Sequence, residues 1–398
     1  MQAYVLDWLN LLVRWTHVTV AIAWIGTSFY YIALDYALLP PIAPSSKEVG
    51  GEVWEIHGGG FYRVEKFRVA PARLPEHLHW FKWEAYWTWI SGFSLLVIVY
   101  YAQARSFLID PSVADLNPLV AIAISLAILA VSWHVYDGLC RLLGDRDRLF
   151  AVAIGLVIAA TAFGLSHLFS PRAVYIQVGA MVGTWMVANV LFVIIPGQRE
   201  LVAAKAAGRE PDPGPGMLGK QRSVHNNYFT LPVLFAMLSN HFPMTYGHPA
   251  GWLILLALMA IGAWVRHFFN LRHQGRTVWA IPASAAAGVL GLALVLAPRN
   301  LQPSQPATGA SATTFAEVQP IIAQRCVPCH SATPTNPAVS SAPKGIVFEA
   351  PQQIQARAAD IYQQAVITRN MPLGNATGMT QPERDVLAAW IEEGAPLQ

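Results

Sequence analysis

The chain has 398 residues, of which 54% are hydrophobic and 12% charged, about half the charged share of an ordinary soluble domain. With a mean hydropathy of +0.39, this excludes a simple soluble enzyme, a disordered chain and a collagen-like one, and puts the protein in a bilayer. The net charge of +3 combines a basic excess before Asn300 with a slight acidic excess after it, and offers no basic surface for nucleic acid.

In chain order, the N-terminus MQAYVLDWLN lacks the basic start and small-residue cleavage site of a secretory leader, so the first apolar run is expected to stay as a span. Apolar runs long enough to cross a bilayer, roughly 20 residues each, fall near residues 10–33, 83–102, 117–138, 149–170, 173–195, 227–245, 250–270 and 278–297. They predict eight transmembrane helices. The first connection, about 35–80, is expected to be a structured cytoplasmic loop in which EVWEIHGGGFYRVEKF forms two short strands about a Gly turn. Within 197–226, RELVAAKAAGRE reads as a short interfacial helix and PDPGPG as a flexible break. Lys and Arg crowd the odd-numbered connections, whereas the second, fourth and sixth hold only Arg105 and Arg172. The odd connections are therefore expected in the cytoplasm and both termini outside.

A Pro, Ser, Thr and Gly stretch at 299–313 reads as a flexible linker. It separates a membrane domain, 1–298, from a small domain, 314–398. Of three cysteines, Cys140 stands alone, while Cys326-Val327-Pro328-Cys329-His330 is the C-x-x-C-H pattern of covalent haem attachment. The two thiols form thioethers to the haem vinyl groups and the next imidazole ligates the iron. A redox C-x-x-C and half a zinc site are the alternatives, but zinc would need two further Cys or His residues and none follows His330. A sixth ligand is often Met. Met371, in the irregular stretch NMPLGNATG, is expected in that role, and Met379 in packing. With amphipathic helices in TTFAEVQPIIAQRC and PERDVLAAWIEEG, and Trp390 packing on the fold, the tail resembles a class I cytochrome c with one covalent haem c. The expected fold class is all-α, a polytopic eight-helix transmembrane bundle plus a small class I cytochrome c domain.

Ionisable residues inside spans are functional hypotheses. Arg14, His17, Trp24, Ser28 and Tyr31 make a stripe along the first helix, and Arg14 and His17 share the outer side with His167, Asn240 and His241. Toward the cytoplasm lie Glu84, Thr88, His134, His225, Asn226, Arg266, His267 and Asn270. The histidines have three open readings: bonding between helices, substrate binding or proton transfer, and ligation of an additional haem b by facing pairs such as His134 with His267 or His167 with His241.

The segment GEVWEIHGGGFYRVEKFRVAPARLPEHLHWFKWEAYWTWISGF, the helix count, the CVPCH site and the NMPLGN-x-TGMT ending together resemble the family of bacterial membrane-bound urate oxidases (urate hydroxylases), over essentially the whole chain. The resemblance implies an eight-helix domain ending in a cytochrome c, in the bacterial inner membrane among its lipids, with both termini periplasmic. It implies oxidation of urate to 5-hydroxyisourate, with electrons passing one at a time to haem c and on to a soluble cytochrome or terminal oxidase, and no hydrogen peroxide formed. Such a site needs donors for an anionic purine, a base and an aromatic wall. Arg14 and His17, with His167 and His241 nearby, are the first candidates; Arg266 and His267 are the second. The rival reading is a membrane-anchored cytochrome relaying electrons from quinol.

Overall fold

The computed structural model describes residues 2–144, 146–297 and 313–397. The chain opens with α1 (Gln2–Ala37), a 36-residue helix about 54 Å long. A hairpin follows, β1 (Val49–His57) and β2 (Gly60–Phe67), antiparallel about the expected glycine turn, where Gly58 and Gly59 both have positive φ. Next come α2 (Trp83–Leu95), which continues as a π-helical stretch to Tyr101, then the short α3 (Ala104–Phe107), α4 (Pro118–Leu143) and α5 (Asp147–Ser166). Helix α6 (Pro171–Asn189) runs through a π-helical turn, Val190–Ile194, into α7 (Ile195–Ala206). Then follow α8 (Gly214–Leu238), α9 (Pro243–Tyr246), α10 (Gly251–His273) and α11 (Ala280–Val295). The tail holds α12 (Phe315–Arg325), α13 (Pro351–Ala356), α14 (Ala358–Ile361) and α15 (Gln381–Glu392).

Helix starts follow local chemistry. Asn117 caps α4 by accepting from the Leu119 N–H at 2.9 Å, and Ser170 caps α6 through Ala173, each with proline in the first turn, where its missing N–H costs nothing.

Among the described residues, five helical segments are long and apolar enough to cross a membrane: Tyr4–Ala37, Pro118–Leu143, Asp147–Ser166, Pro171–Ala206 and Gly251–His273. The other three expected spans also fall on helix. Ala280–Val295 is apolar but 16 residues long, α2 is rich in Trp and Tyr, and the first half of α8 is polar.

Two expectations in the fifth connection need correcting. The segment read as a separate interfacial helix continues the preceding span, because Pro196 falls in the first turn of α7, where it is tolerated, and the π-turn absorbs the joint. Helix α8 starts at Gly214 rather than near 227. Its polar residues Arg222, Asn226 and Asn227 are at most 4% exposed and turn into the bundle. The expected linker lies mostly outside the described residues.

The connections sort to two ends. The tail meets the N-terminal part of α1, where Ser340 bonds Asp7, and the segments around α3 and α9. At the opposite end, Asp35 pairs with Lys66 of β2 and with Lys220 of α8 at 3.5 Å, and Gln221 reaches the Gly144 carbonyl at 2.9 Å. The tail has its own core of Phe315, Val318, Ile322, Phe348, Leu387 and Trp390, with α12 packed on α15.

Candidate functional site

Cys326 closes α12, and both it and Cys329 are free thiols. Burial pushes the Cys326 thiol up to about 12, and the neighbouring Cys329 adds to the shift. The His330 ring lies 5.1 Å from Phe348, and its Nδ1 donates to the Ile346 carbonyl at 3.0 Å. That bond fixes the tautomer and leaves Nε2 with a free lone pair. The Met371 backbone is held from both sides: its N–H donates to Gln364 O and its carbonyl accepts from Arg384, both at 2.9 Å. Met379 is 3% exposed within the tail core. Two thiols, an imidazole with an uncommitted nitrogen and a thioether are a donor set suited to a covalently held haem. Among the described residues no three His, Cys, Asp or Glu side chains gather to hold a metal ion.

The loop carrying Met371 is seated on the bundle around α3 and α9. Tyr246, 4% exposed, donates to Asn370 Oδ1 at 2.8 Å. A side chain on Gly374 would collide with the Ser106 carbonyl, and one on Gly247 with that of Thr368, so the two backbones approach as only glycine allows. Just inside this end, Asn240 Oδ1 accepts from Arg172 Nε at 2.9 Å and from the Tyr100 hydroxyl at 3.2 Å. Arg172 lies over the Phe107 ring at 5.1 Å.

The Arg14 guanidinium is within electrostatic reach of Arg172 and Tyr100 and bonds Asn10 at 3.0 Å. Among the described residues, neither Arg14 nor Arg172 forms a salt bridge. His17, one turn on, places Nδ1 3.0 Å from both the Thr88 carbonyl and Ser91 Oγ. Because Ser91 Oγ itself donates to the Trp87 carbonyl at 2.6 Å, Nδ1 is the donor and Nε2 is a free base. His167 and His241 lie exposed at this end, His167 Nδ1 bonding the Phe163 carbonyl of its own helix at 2.9 Å.

At the opposite end, Arg266 (4% exposed) sits between α8, α10 and α1. Its Nε donates to Asn227 Oδ1 at 2.9 Å, and its guanidinium carbon stands 3.7 Å above the Phe29 ring. Its Nη2, the Asn227 Nδ2 and both amide atoms of Asn270 are buried without a partner among the described residues. His267 bonds the Tyr228 hydroxyl at 2.7 Å and stacks on Trp264, while His134 is exposed on α4.

A third polar set lies between α4, α6 and α8. Asp137 pairs with Arg222 at 2.7 Å, and Tyr136 bonds His225 and Asn189, each at 2.9 Å; Asn189 reaches Asn226 at 2.8 Å.

The sequence singled out Arg14, His17, Asn240, Arg266 and Asn270. It missed Tyr100, Arg172 and Asn227 as site residues, and Asn189, a lone amide in the apolar run MVANVLF, was a signal left unread. A family model described as urate oxidase N-terminal matches residues 3–297. No curated protein and no solved structure matches the chain.

Proposed function

The chain belongs to the urate oxidase N-terminal family, and from that premise we propose that it is a membrane-bound, cytochrome c-linked urate oxidase. In this reading eight helices span the inner membrane, with both termini and the tail on the periplasmic side. Urate and one water become 5-hydroxyisourate, two protons and two electrons. The electrons leave through the tail to a soluble cytochrome or terminal oxidase, so no hydrogen peroxide forms.

The observation that carries this reading is the seating of the Met371 loop on the bundle end where Arg14 and Arg172 have no carboxylate partner among the described residues. Two guanidiniums so placed attract an anion, and an anion there lies next to the electron sink. Asn240 fixes Arg172 and Tyr100 in place. Arg14 and Arg172 bind and orient the urate anion, and the free Nε2 of His17 takes a proton from the attacking water. Cys326, Cys329, His330 and Met371 would hold the haem, which supplies a one-electron acceptor.

The test is anaerobic addition of urate to the oxidised, purified protein while haem c absorbance and urate are followed together. The expected result is two haems reduced per urate lost. No reduction by urate, in protein whose haem a quinol still reduces, would replace this reading with the quinol relay.

A further inference from the structure

At the end of the bundle away from the tail, the protein buries polar atoms that it does not itself satisfy. Arg266 and Asn270 lie one turn apart on the same face of α10, with Asn227 of α8 opposite and Phe29 of α1 under the guanidinium. Arg266, Asn227 and Asn270 are 4%, 0% and 1% exposed. Four of their atoms, Arg266 Nη2, Asn227 Nδ2, and Asn270 Nδ2 and Oδ1, have no partner among the described residues. Buried polar groups are ordinarily paired, and a leucine would fill the place of Asn270 without the desolvation cost. The Nε bond to Asn227 fixes the guanidinium plane and leaves Nη2 as the open donor.

We propose that these residues form a second anion site, for a planar anion with neighbouring carbonyl and N–H groups. Arg266 Nη2 and Asn227 Nδ2 donate to its oxygens, and the Asn270 amide both donates and accepts along its edge. That the anion is of the urate class rests on the function proposed above. The site is distinct from the Arg14–Arg172 end. Arg266 is fifteen residues along α10 from Gly251, about 22 Å at 1.5 Å per residue, and the Gly251 carbonyl accepts from Tyr175, whose ring packs on Tyr246 at the tail end. It is therefore a place where substrate is held on the hairpin side, too far from the tail to be where it surrenders electrons.

The test counts bound urate by equilibrium dialysis of labelled urate against full-length holoprotein kept reduced under anaerobic conditions, so that none is consumed. Two urates per chain are expected, falling to one in Asn270→Leu. Ligand-free Asn270→Leu should unfold at the same temperature as the parent or higher, yet show a smaller urate-induced rise, an outcome that a purely structural amide would not produce. Equal binding in parent and Asn270→Leu overturns the proposal. A single urate that is lost in Asn270→Leu but kept in Arg172→Gln upholds this site and overturns the Arg14–Arg172 placement. A single urate with the reverse pattern does the opposite.

Discussion

The tail and the bundle each bury an apolar core, but they differ in what they leave outside and in how many polar side chains they enclose. In the tail Val318, Leu387 and Trp390 are fully enclosed, and among the described residues Ile367 is its only exposed large apolar side chain. In the bundle Trp15, Leu119 and Leu294 are more than 70% exposed, while Gln177, Asn189 and Asn227 are at most 1% exposed. The difference follows from the solvent. In water, apolar burial drives the fold. Between helices surrounded by lipid that drive is absent, and packing together with interhelical hydrogen bonds selects the arrangement. The polar side chains enclosed among the bundle's apolar residues are therefore both part of its glue and the place where chemistry is possible.

The contrast breaks most visibly at the Cys-x-x-Cys-His segment. Replacing Cys326 and Cys329 with alanine should abolish covalent haem, read by haem staining after denaturing electrophoresis, while the bundle keeps its thermal transition. Loss of both transitions would mean that the two regions fold as one. Next in size, Trp390→Ala should cost the tail about 3–5 kcal/mol. By contrast, Leu294→Ala on the outer face of α11 should stay within about 0.5 kcal/mol, read as separate calorimetric transitions. Within the bundle, Asp137→Asn leaves the Arg222 charge buried with its carboxylate gone, at a cost of about 3 kcal/mol. If instead Leu294→Ala costs more than Asp137→Asn, polar contacts are not what holds the bundle.

The same contrast explains what the sequence could disclose. Both long tail helices were legible because their signals are local: Thr314 with Glu317 and Thr380 with Glu383 are capping boxes three residues apart, ahead of amphipathic runs. The apolar helices were legible from hydropathy. The first half of α8 is not, because the polar stretch through Arg222 and Asn226 reads as a connection ahead of a span that begins at Asn227, until the partners of these residues on α4, α6 and α10 are known. Arg172 reads as part of a connection, and nothing in the sequence marks Tyr100. Only tertiary structure brings them to Asn240, which was already visible as a polar residue near a span end.

An effect smaller than those of the Trp390 and Asp137 substitutions separates the tail by pH. Glu383 receives the Thr380 N–H at 2.7 Å and the Thr380 hydroxyl at 3.0 Å, and pairs with Arg325 at 2.9 Å. Burial works against its charged form, but the Thr380 and Arg325 contacts outweigh it and hold the carboxyl below its ordinary value. A group whose folded value is depressed stabilises the fold fully above the unfolded value, near 4.3 for Glu, and loses that contribution as pH falls through the depressed folded value. Glu383→Gln should therefore lower the tail's stability by about 1 kcal/mol at pH 7, with the gap unchanged between pH 6 and 8 and closing in acid. A gap that persists undiminished at pH 3 would show that the carboxylate charge contributes nothing and that the α15 cap works through shape and neutral hydrogen bonds alone.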